Sequence, residues 1–352
     1  MKILAIETSC DETAAAFVEN GTTVLSHVVA SSSDLFKETG GIVPEVAARK
    51  QLEYIIPVID KTLNNANLSI KNIDFLAVTA GPGLLGSLLV GVDCAKTLSF
   101  IYKKPIIPVN HLLGHIYSVF ITDYLGEQVQ NNVPKFPLIT LVVSGGHTDL
   151  VLIKDFLDIS YLGGTRDDAA GEAFDKAARI LGVSKYLGGS VISKLAEYSK
   201  GNVNFKLPRP MLRSDDLDFS FSGLKTALLK EIEDPHVKTT TMLSDLCFEF
   251  EQAVVHVLVS KLQKAVDLYN PRSIAVVGGV SANKKLRATV LSTFSNYDVF
   301  IPPIYLCTDN AAMIGSAAFY LKNKYSDLIE SQDLSKIKAN PSLSLENLYN
   351  LD

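Results

Sequence analysis

Ile3-Leu4-Ala5-Ile6-Glu7-Thr8-Ser9-Cys10-Asp11-Glu12-Thr13-Ala14-Ala15-Ala16-Phe17-Val18 opens the chain. An apolar run stops at a polar turn, residues 7–13, and a second apolar run follows it. Asn20-Gly21 then separates 14–18 from the β-prone run 23–29. Asn-Gly between such runs is a strong hairpin signal. The reading is strand, polar turn, strand, hairpin, strand. The same order returns as 138–143, the turn Ser144-Gly145-Gly146-His147-Thr148, a strand at 150–153 and another near 159–162. Helical segments and a further strand come after each copy. They are 46–63 and 75–79 in the first half, and 170–181, 243–269 and 273–277 in the second. A repeated pattern without repeated identity predicts an α/β protein of two duplicated lobes, with mixed sheets, around a central cleft.

Length agrees, since 352 residues correspond to about two domains of ~150 residues. The lobe boundary is expected within 110–135, where 128–134 is polar and ends in Pro. Taken at its early edge, it gives a first lobe over 1–110, completed by a C-terminal helix over 310–325. A second lobe with helical insertions then covers 111–309, and 326–352 is a loosely held polar tail.

The 33 basic and 38 acidic residues give a formal charge of -5. That disfavours nucleic-acid binding by bulk positive charge and leaves room for a local basic patch. Cys10, Cys94, Cys247 and Cys307 are scattered with no C-x-x-C pair, which argues against a zinc ribbon or a disulfide framework and suits a reducing compartment. Glu7 comes too early for a signal peptide. Residues 75–92 carry no charge, but Gly81-Pro82-Gly83 breaks them, so they read as strand, turn and buried helix and not as a membrane span.

Three constellations could carry chemistry. His111-Leu112-Leu113-Gly114-His115 sets two imidazoles at i,i+4, able to reach one ion or to serve as capping or core histidines. The Glu of H-E-x-x-H is absent, so a zincin peptidase lacks its base. Asp309, just before the apolar helix 311–320, is a candidate third ligand, or simply an N-cap. Next, Ser144–His147 and Gly278-Gly279-Val280-Ser281-Ala282-Asn283 are glycine turns after strands, suited to tight turns or to anion nests. No P-loop or Rossmann fingerprint is present. Third, Asp168, Glu172 and Asp175 share a helical face, either solvated or turned toward a ligand.

These segments, together with Gly40–Glu45, Gly81–Gly83 and 219–225, run collinearly over about 1–325 and resemble the TsaD family. These are bacterial tRNA N(6)-adenosine threonylcarbamoyltransferases, once called glycoproteases. The resemblance implies the actin-like ATPase superfamily fold (ribonuclease H-like). It implies one divalent metal ion per subunit, Fe(2+) or else Zn(2+), held by His111, His115 and Asp309. It implies a substrate pocket of Val142, Val143, Ser144, Gly145, Gly146, Asp175, Gly188 or Gly189, and Asn283. Two departures stand out. Gln51 replaces a common His, and Ser190 follows Gly188-Gly189 where Pro is usual.

The implied reaction transfers threonylcarbamoyl from threonylcarbamoyl-AMP to N(6) of the adenosine at tRNA position 37, in tRNAs reading codons that begin with adenine. AMP leaves. Asp11, Glu12 or His147 is the expected proton-transfer group. The implied partners are tRNA, TsaB and TsaE, with TsaC supplying the adenylate. A cytoplasmic location without a membrane is expected. A small-molecule kinase on the same fold, a metallopeptidase and a non-catalytic nucleotide-bound scaffold are the alternatives.

Overall fold

The computed structural model describes residues 1–201, 203, 205–233, 242–331 and 333–345. In chain order the strands are β1 (Lys2–Glu7), β2 (Glu12–Glu19), β3 (Thr23–Ser31), β4 (Phe75–Gly81), β5 (Ile106–Asn110), β6 (Asp123–Tyr124), β7 (Glu127–Gln128), β8 (Leu138–Val143), β9 (Thr148–Asp155), β10 (Asp158–Gly164), β11 (Ser273–Val277) and β12 (Asp298–Phe300). The helices used below are α1 (Pro44–Asn65), α2 (Leu85–Tyr102), α3 (His111–Tyr117), α4 (Ala170–Ile180), α5 (Gly188–Ala196), α6 (Ser222–Glu233), α7 (Leu243–Tyr269), α8 (Lys284–Thr293) and α9 (Ala311–Lys324).

The first sheet has the order β5-β4-β1-β2-β3-β6-β7 and the second β10-β9-β8-β11-β12. In both, a central strand pairs antiparallel with the next strand and parallel with a later one: β1 with β2 and β4, β8 with β9 and β11. Strands three, two, one, four and five of each half therefore lie in the same order, and the duplication read from pattern is present in the topology. The β6–β7 hairpin extends the first sheet, and the sequence reading did not foresee it.

The chain divides into two compact units. One holds Met1–Pro134, Asp155–Ile159 and the residues from Pro302 onward; the other holds Lys135–Lys154 and Ser160–Ile301. This differs from a first lobe ending at 110. Helix α3 packs on α9, and β6 pairs with β3, so 111–134 stay with the first unit. The tail differs as well. Ile337 is fully buried among the residues of the first core, and Leu345 is nearly so.

In the first unit, Leu4 and Ile6 of β1 join Ile55, Val58 and Ile59 of α1 in one core. Alternation puts Ala5 on the other face, where α9 approaches so closely that a Cβ on Gly315 would lie 3.3 Å from Ala5 Cβ. Glu7 is the next residue of that second face. Helix α2 is long and apolar enough to span a bilayer, with mean hydropathy 1.3 over its 18 residues. It packs on β4 and α1 with Ser87, Leu88, Gly91, Val92 and Ala95 buried. It is not the fully buried helix expected, because Leu85, Leu89, Phe100 and Ile101 are exposed.

His27 of β3 places Nδ1 2.8 Å from the Tyr124 hydroxyl, and its buried Nε2 has no partner among the described residues. Burial lowers its pKa to about 4. The unfolded chain, with His near 6.5, binds the extra proton first. Stability from a neutral His27 is therefore full above pH ~6.5 and lost as pH falls through about 4, at most ~3 kcal/mol. Urea unfolding at pH 7 and 4.5 should show a smaller loss for His27→Gln than for the parent chain.

Candidate functional site

Asn110 ends β5, and its side-chain oxygen accepts from the Leu112 and Leu113 N–H groups, so α3 begins at His111. The i,i+4 spacing then turns both imidazoles to one face, with ring centroids 4.7 Å apart and planes at 82°. Nε2 of His111 and Nε2 of His115 lie 3.4 and 3.3 Å from the same oxygen, Asp309 Oδ1. One donor atom from each of the three residues falls within 4.8 Å of the others. The N-cap explanation for Asp309 does not hold. Asn310 caps α9, accepting from the Met313 N–H at 2.9 Å, which leaves Asp309 to face the histidines. Gly114 permits the approach of the two helices, since a Cβ there would sit 2.7 Å from Ile314 Cδ1.

The sequence reading passed over one member. Glu7 is fully buried at the end of β1 and accepts from Ser9 N–H and Thr79 Oγ1 at 2.5 Å each, with Oε2 3.1 Å from His111 Nδ1. A carboxylate behind one imidazole nitrogen fixes the ring and leaves the other nitrogen for a ligand. Burial opposes charge on His111, but Asp309 and Glu7 raise its proton affinity well above the usual range. Burial also opposes charge on Asp309, yet His111 and His115 hold its carboxyl far below the usual range. His115 is lowered, by burial and by the His111 charge. Both of its ring nitrogens are buried without a hydrogen-bond partner among the described residues. Glu12 is pushed up by burial, then by Asp309 and Asp11, and the Cys10 thiol is raised by burial and the same acids. Crowded carboxylates beside an orphaned imidazole are the electrostatics of a cation site, and a His–His–Asp donor set fits a divalent transition metal.

The turn that carries Asp11 and Glu12 is held by Gln51. Its buried amide nitrogen lies 3.3, 2.9 and 3.1 Å from the carbonyls of Thr8, Cys10 and Glu12. From the other side, Thr8 Oγ1 donates to the Ser87 carbonyl of α2 at 2.9 Å. Gln51→Leu keeps the volume and takes the amide donor from all three carbonyls, of which Cys10 O retains Ser87 Oγ at 3.1 Å. We expect a loss of about 2–3 kcal/mol in denaturant unfolding.

In the second unit Val142–Gly146 and the turn Gly278–Asn283 lie at the carboxyl ends of the parallel pair β8 and β11, where open α/β sheets hold ligands. Gly278, with φ 92°, brings its turn so close that a Cβ would lie 2.4 Å from the Val143 carbonyl oxygen. Gly171 of α4 likewise abuts Ser144 O. Val142 and Val143 themselves are fully buried in the ladder, so their side chains serve the core. The Ser144 N–H donates to His147 O at 2.9 Å, and the His147 N–H returns to Ser144 Oγ at 3.1 Å. The donors left open are Gly145 and Gly146, both exposed and bonded to no described residue. Asp175 accepts from the Gly188 N–H at 2.7 Å, and burial raises its pKa. Gly188 is the packed glycine, as a Cβ there would meet Ala178 Cβ at 2.2 Å, whereas Gly189 has ordinary space. Asn283 caps α8 at Leu286 N–H and donates to Ser193 and Glu251, tying α5, α7 and α8 together. Asp168 and Glu172 both pair with Lys176, at 2.6 and 2.8 Å, and are not free acids.

With this geometry in hand, comparison with known proteins is specific. A family model described as TsaD, tRNA N6-adenosine threonylcarbamoyltransferase, matches residues 23–316. A curated relative of that name from Thermomicrobium roseum is 48% identical, covering 92% of this chain and 93% of its own. Others with the same name come from Bacillus thuringiensis subsp. konkukian (44%, covering 98% and 97%) and Persephonella marina (45%, covering 91% and 90%). Among solved structures, full-length HypF matches with TM-score 0.57 at 12% identity, over 92% of this chain and 46% of that one. Component A of the (R)-2-hydroxyglutaryl-CoA dehydratase of Acidaminococcus fermentans matches with TM-score 0.54 at 14% identity, over 93% and 99%. Those two likenesses concern the fold.

Proposed function

This chain belongs to the tRNA N6-adenosine threonylcarbamoyltransferase family, TsaD, and from that premise we propose how its residues divide the work. The fold is that of the actin-like ATPases, and the activity is threonylcarbamoyl transfer to tRNA; the kinase and peptidase alternatives are not favoured. The observation that carries the site reading is the convergence of His111, His115 and Asp309 on one point.

His111, His115 and Asp309 hold one divalent ion, iron(II) in the first instance and zinc(II) as the other candidate for such a donor set. When bound, the ion supplies Lewis acidity and a fixed template for the carbamoyl group. The donor is threonylcarbamoyl-AMP. Within the second unit, the open N–H groups of Gly145 and Gly146 are suited to its phosphate. Val142, Val143, Ser144, Asp175, Gly188, Gly189 and Asn283 act by holding that turn and its neighbours in shape. The N(6) amine of adenosine 37 attacks, the bond to phosphate breaks, and AMP leaves. Glu12, whose buried carboxyl has raised proton affinity, takes the amine proton, with Asp11 beside it in the turn. His147 is the remaining candidate. Adenosine 37 lies in a loop, so presenting its base costs little unstacking.

The net charge of -5 makes the chain alone a poor match for tRNA, which supports docking through partner subunits. TsaB and TsaE fill that role, and TsaC makes the adenylate. The exposed Leu52 and Ile56 of α1 and Leu85 and Leu89 of α2, on two packed helices, provide an apolar face for a subunit. A cytoplasmic location goes with that set of partners. The test combines the chain, those proteins, unmodified tRNA, threonine, bicarbonate and ATP, followed by nucleoside mass analysis. Absence of threonylcarbamoyladenosine would refute the reading. In single turnover, wild-type rates in both Glu12→Gln and Asp11→Asn would remove these two carboxylates from proton transfer.

A further inference from the structure

In the second unit, a cavity of about 470 Å³ opens between the irregular segment 206–214 and helix α7. Lys206, Arg209 and Arg213 line it from the segment and His256 lines it from α7, over a floor that includes Leu207 and Leu212. Four nitrogen bases in one opening are unexpected in a chain of net charge -5.

Two of the acids nearby, Glu249 and Asp216, are already engaged. Glu249 accepts from Arg209 at 2.5 Å and from the Leu207 N–H at 2.9 Å, both partners being largely buried. Asp216 pairs with Arg166 and with the buried Lys261. Lys261 also donates to Ser214 Oγ and Asp216 O, and Lys264 to Ser214 O and Asp215 O. The carboxylate of Asp215 is the one acid of this segment without an ion pair among the described residues. By contrast, Lys206 and Arg213 are exposed and carry no ion pair to any described residue, and His256 is exposed on α7. Burial, then the charges of Arg209 and Lys206, lower the basicity of His256, as expected where cations crowd together.

Buried ion pairs contribute little net stability and fix geometry well. Here the largely buried pair Arg209–Glu249 and the half-buried pair Lys261–Asp216 hold a stretch without regular structure. What these pairs position is a pair of free cations at the mouth of the cavity. Such pre-set cations, open to solvent over an apolar floor and lined by no Phe or Tyr on which a base could stack, match a phosphodiester. We infer that this cavity receives a backbone phosphate of the tRNA substrate, away from the base that is modified. The inference rests on the transferase reading above and adds to it a docking point on this chain itself.

The experiment uses the full chain with its partner subunits, and an unmodified tRNA transcript whose binding is followed by anisotropy over a KCl series. Lys206→Ala and Arg213→Ala should each weaken tRNA binding about fivefold to tenfold near physiological salt. Each should also reduce the slope of log affinity against log salt by roughly 0.7–1. Arg213→Lys should restore most of the slope, and the KM for threonylcarbamoyl-AMP should not move. Unchanged slopes in both alanine variants, with tRNA still modified by the parent complex, would overturn the phosphate site and leave the transferase standing. A raised KM for the adenylate with tRNA affinity unchanged would also overturn it, by assigning the cations to the nucleotide. A parent complex that modifies no tRNA would bring down both readings together.

Discussion

A chain carrying Asp309→Ala is expected to lose bound metal and to slow threonylcarbamoyl transfer by at least ~100-fold while remaining folded. Two imidazoles would be left without the carboxylate that both Nε2 atoms face, at 3.4 and 3.3 Å. Changes one shell further out commonly cost ~10–100-fold in metal affinity, and loss of a ligand should cost more. The fold should survive, because Asn310 and not Asp309 caps α9. The removed charge also relieves Glu12 and Cys10, whose proton affinities Asp309 raises. Metal content per chain, single-turnover transfer and the thermal midpoint, measured together, decide the matter. A variant that keeps one equivalent of metal and wild-type transfer would show that the ion is held elsewhere. Glu7→Gln provides the graded comparison. It keeps the shape behind His111 Nδ1 and removes the charge, so metal affinity should fall ~10–100-fold with all three ligands intact.

The difference between these two residues explains what could be read from the sequence. His111 and His115 announce themselves because helical periodicity is local, and four residues of spacing is enough to put two rings on one face. Asp309 was visible as a polar residue at the start of an apolar helix. Glu7 was not, since its partner His111 is 104 positions away and the strand alternation that aims it at α9 becomes meaningful only once α9 is known to cover that face. The sheets were legible because the turns repeat in place: residues 7–13 in one half and Ser144–His147 in the other separate the first and second of matching strands, and Asn20-Gly21 marks the hairpin to the third. The unit boundary was not, because the contact of Gly114 with Ile314 that keeps α3 in the first unit has no local signature. The glycines of the second unit that stand out in the sequence sit where they do for different physical reasons. Gly188 and Gly278 are required by packing, and Gly145 and Gly146 by nothing in the protein, which is why the latter two carry the ligand argument.

Ending the chain after Lys336 is expected to leave a folded protein whose metal affinity and transfer rate both drop about tenfold or more. The last described stretch reads as a polar tail, because its contacts are made by backbone atoms that sequence pattern does not reveal. Asn340 N–H donates to Ala80 O at 2.7 Å, and Gly83 N–H donates to Pro341 O at 3.3 Å. Asn110 donates its amide to Leu343 O at 3.2 Å and Ser344 O at 3.1 Å. The other end of that same amide caps α3, one residue before His111. Gly81 has to be glycine for this seat, since a Cβ would lie 1.8 Å from Asn340 O. The tail buries only two large apolar side chains, Ile337 and Leu345, and that gain is opposed by the cost of ordering the chain that carries them, so the thermal midpoint should move by only a few degrees. The effect on the site should be the larger one. Without the tail, the Asn110 amide loses both acceptors and is free to leave the cap, and the first turn of α3 loosens where its ligand sits. Asn110→Ala in the full-length chain should reproduce most of the loss, and adding the truncation to it should cost little more, because both act through one side chain. Additive losses would mean that the tail acts on the metal site by another route, and an unchanged metal affinity in the truncated chain would mean that it does not act on it at all.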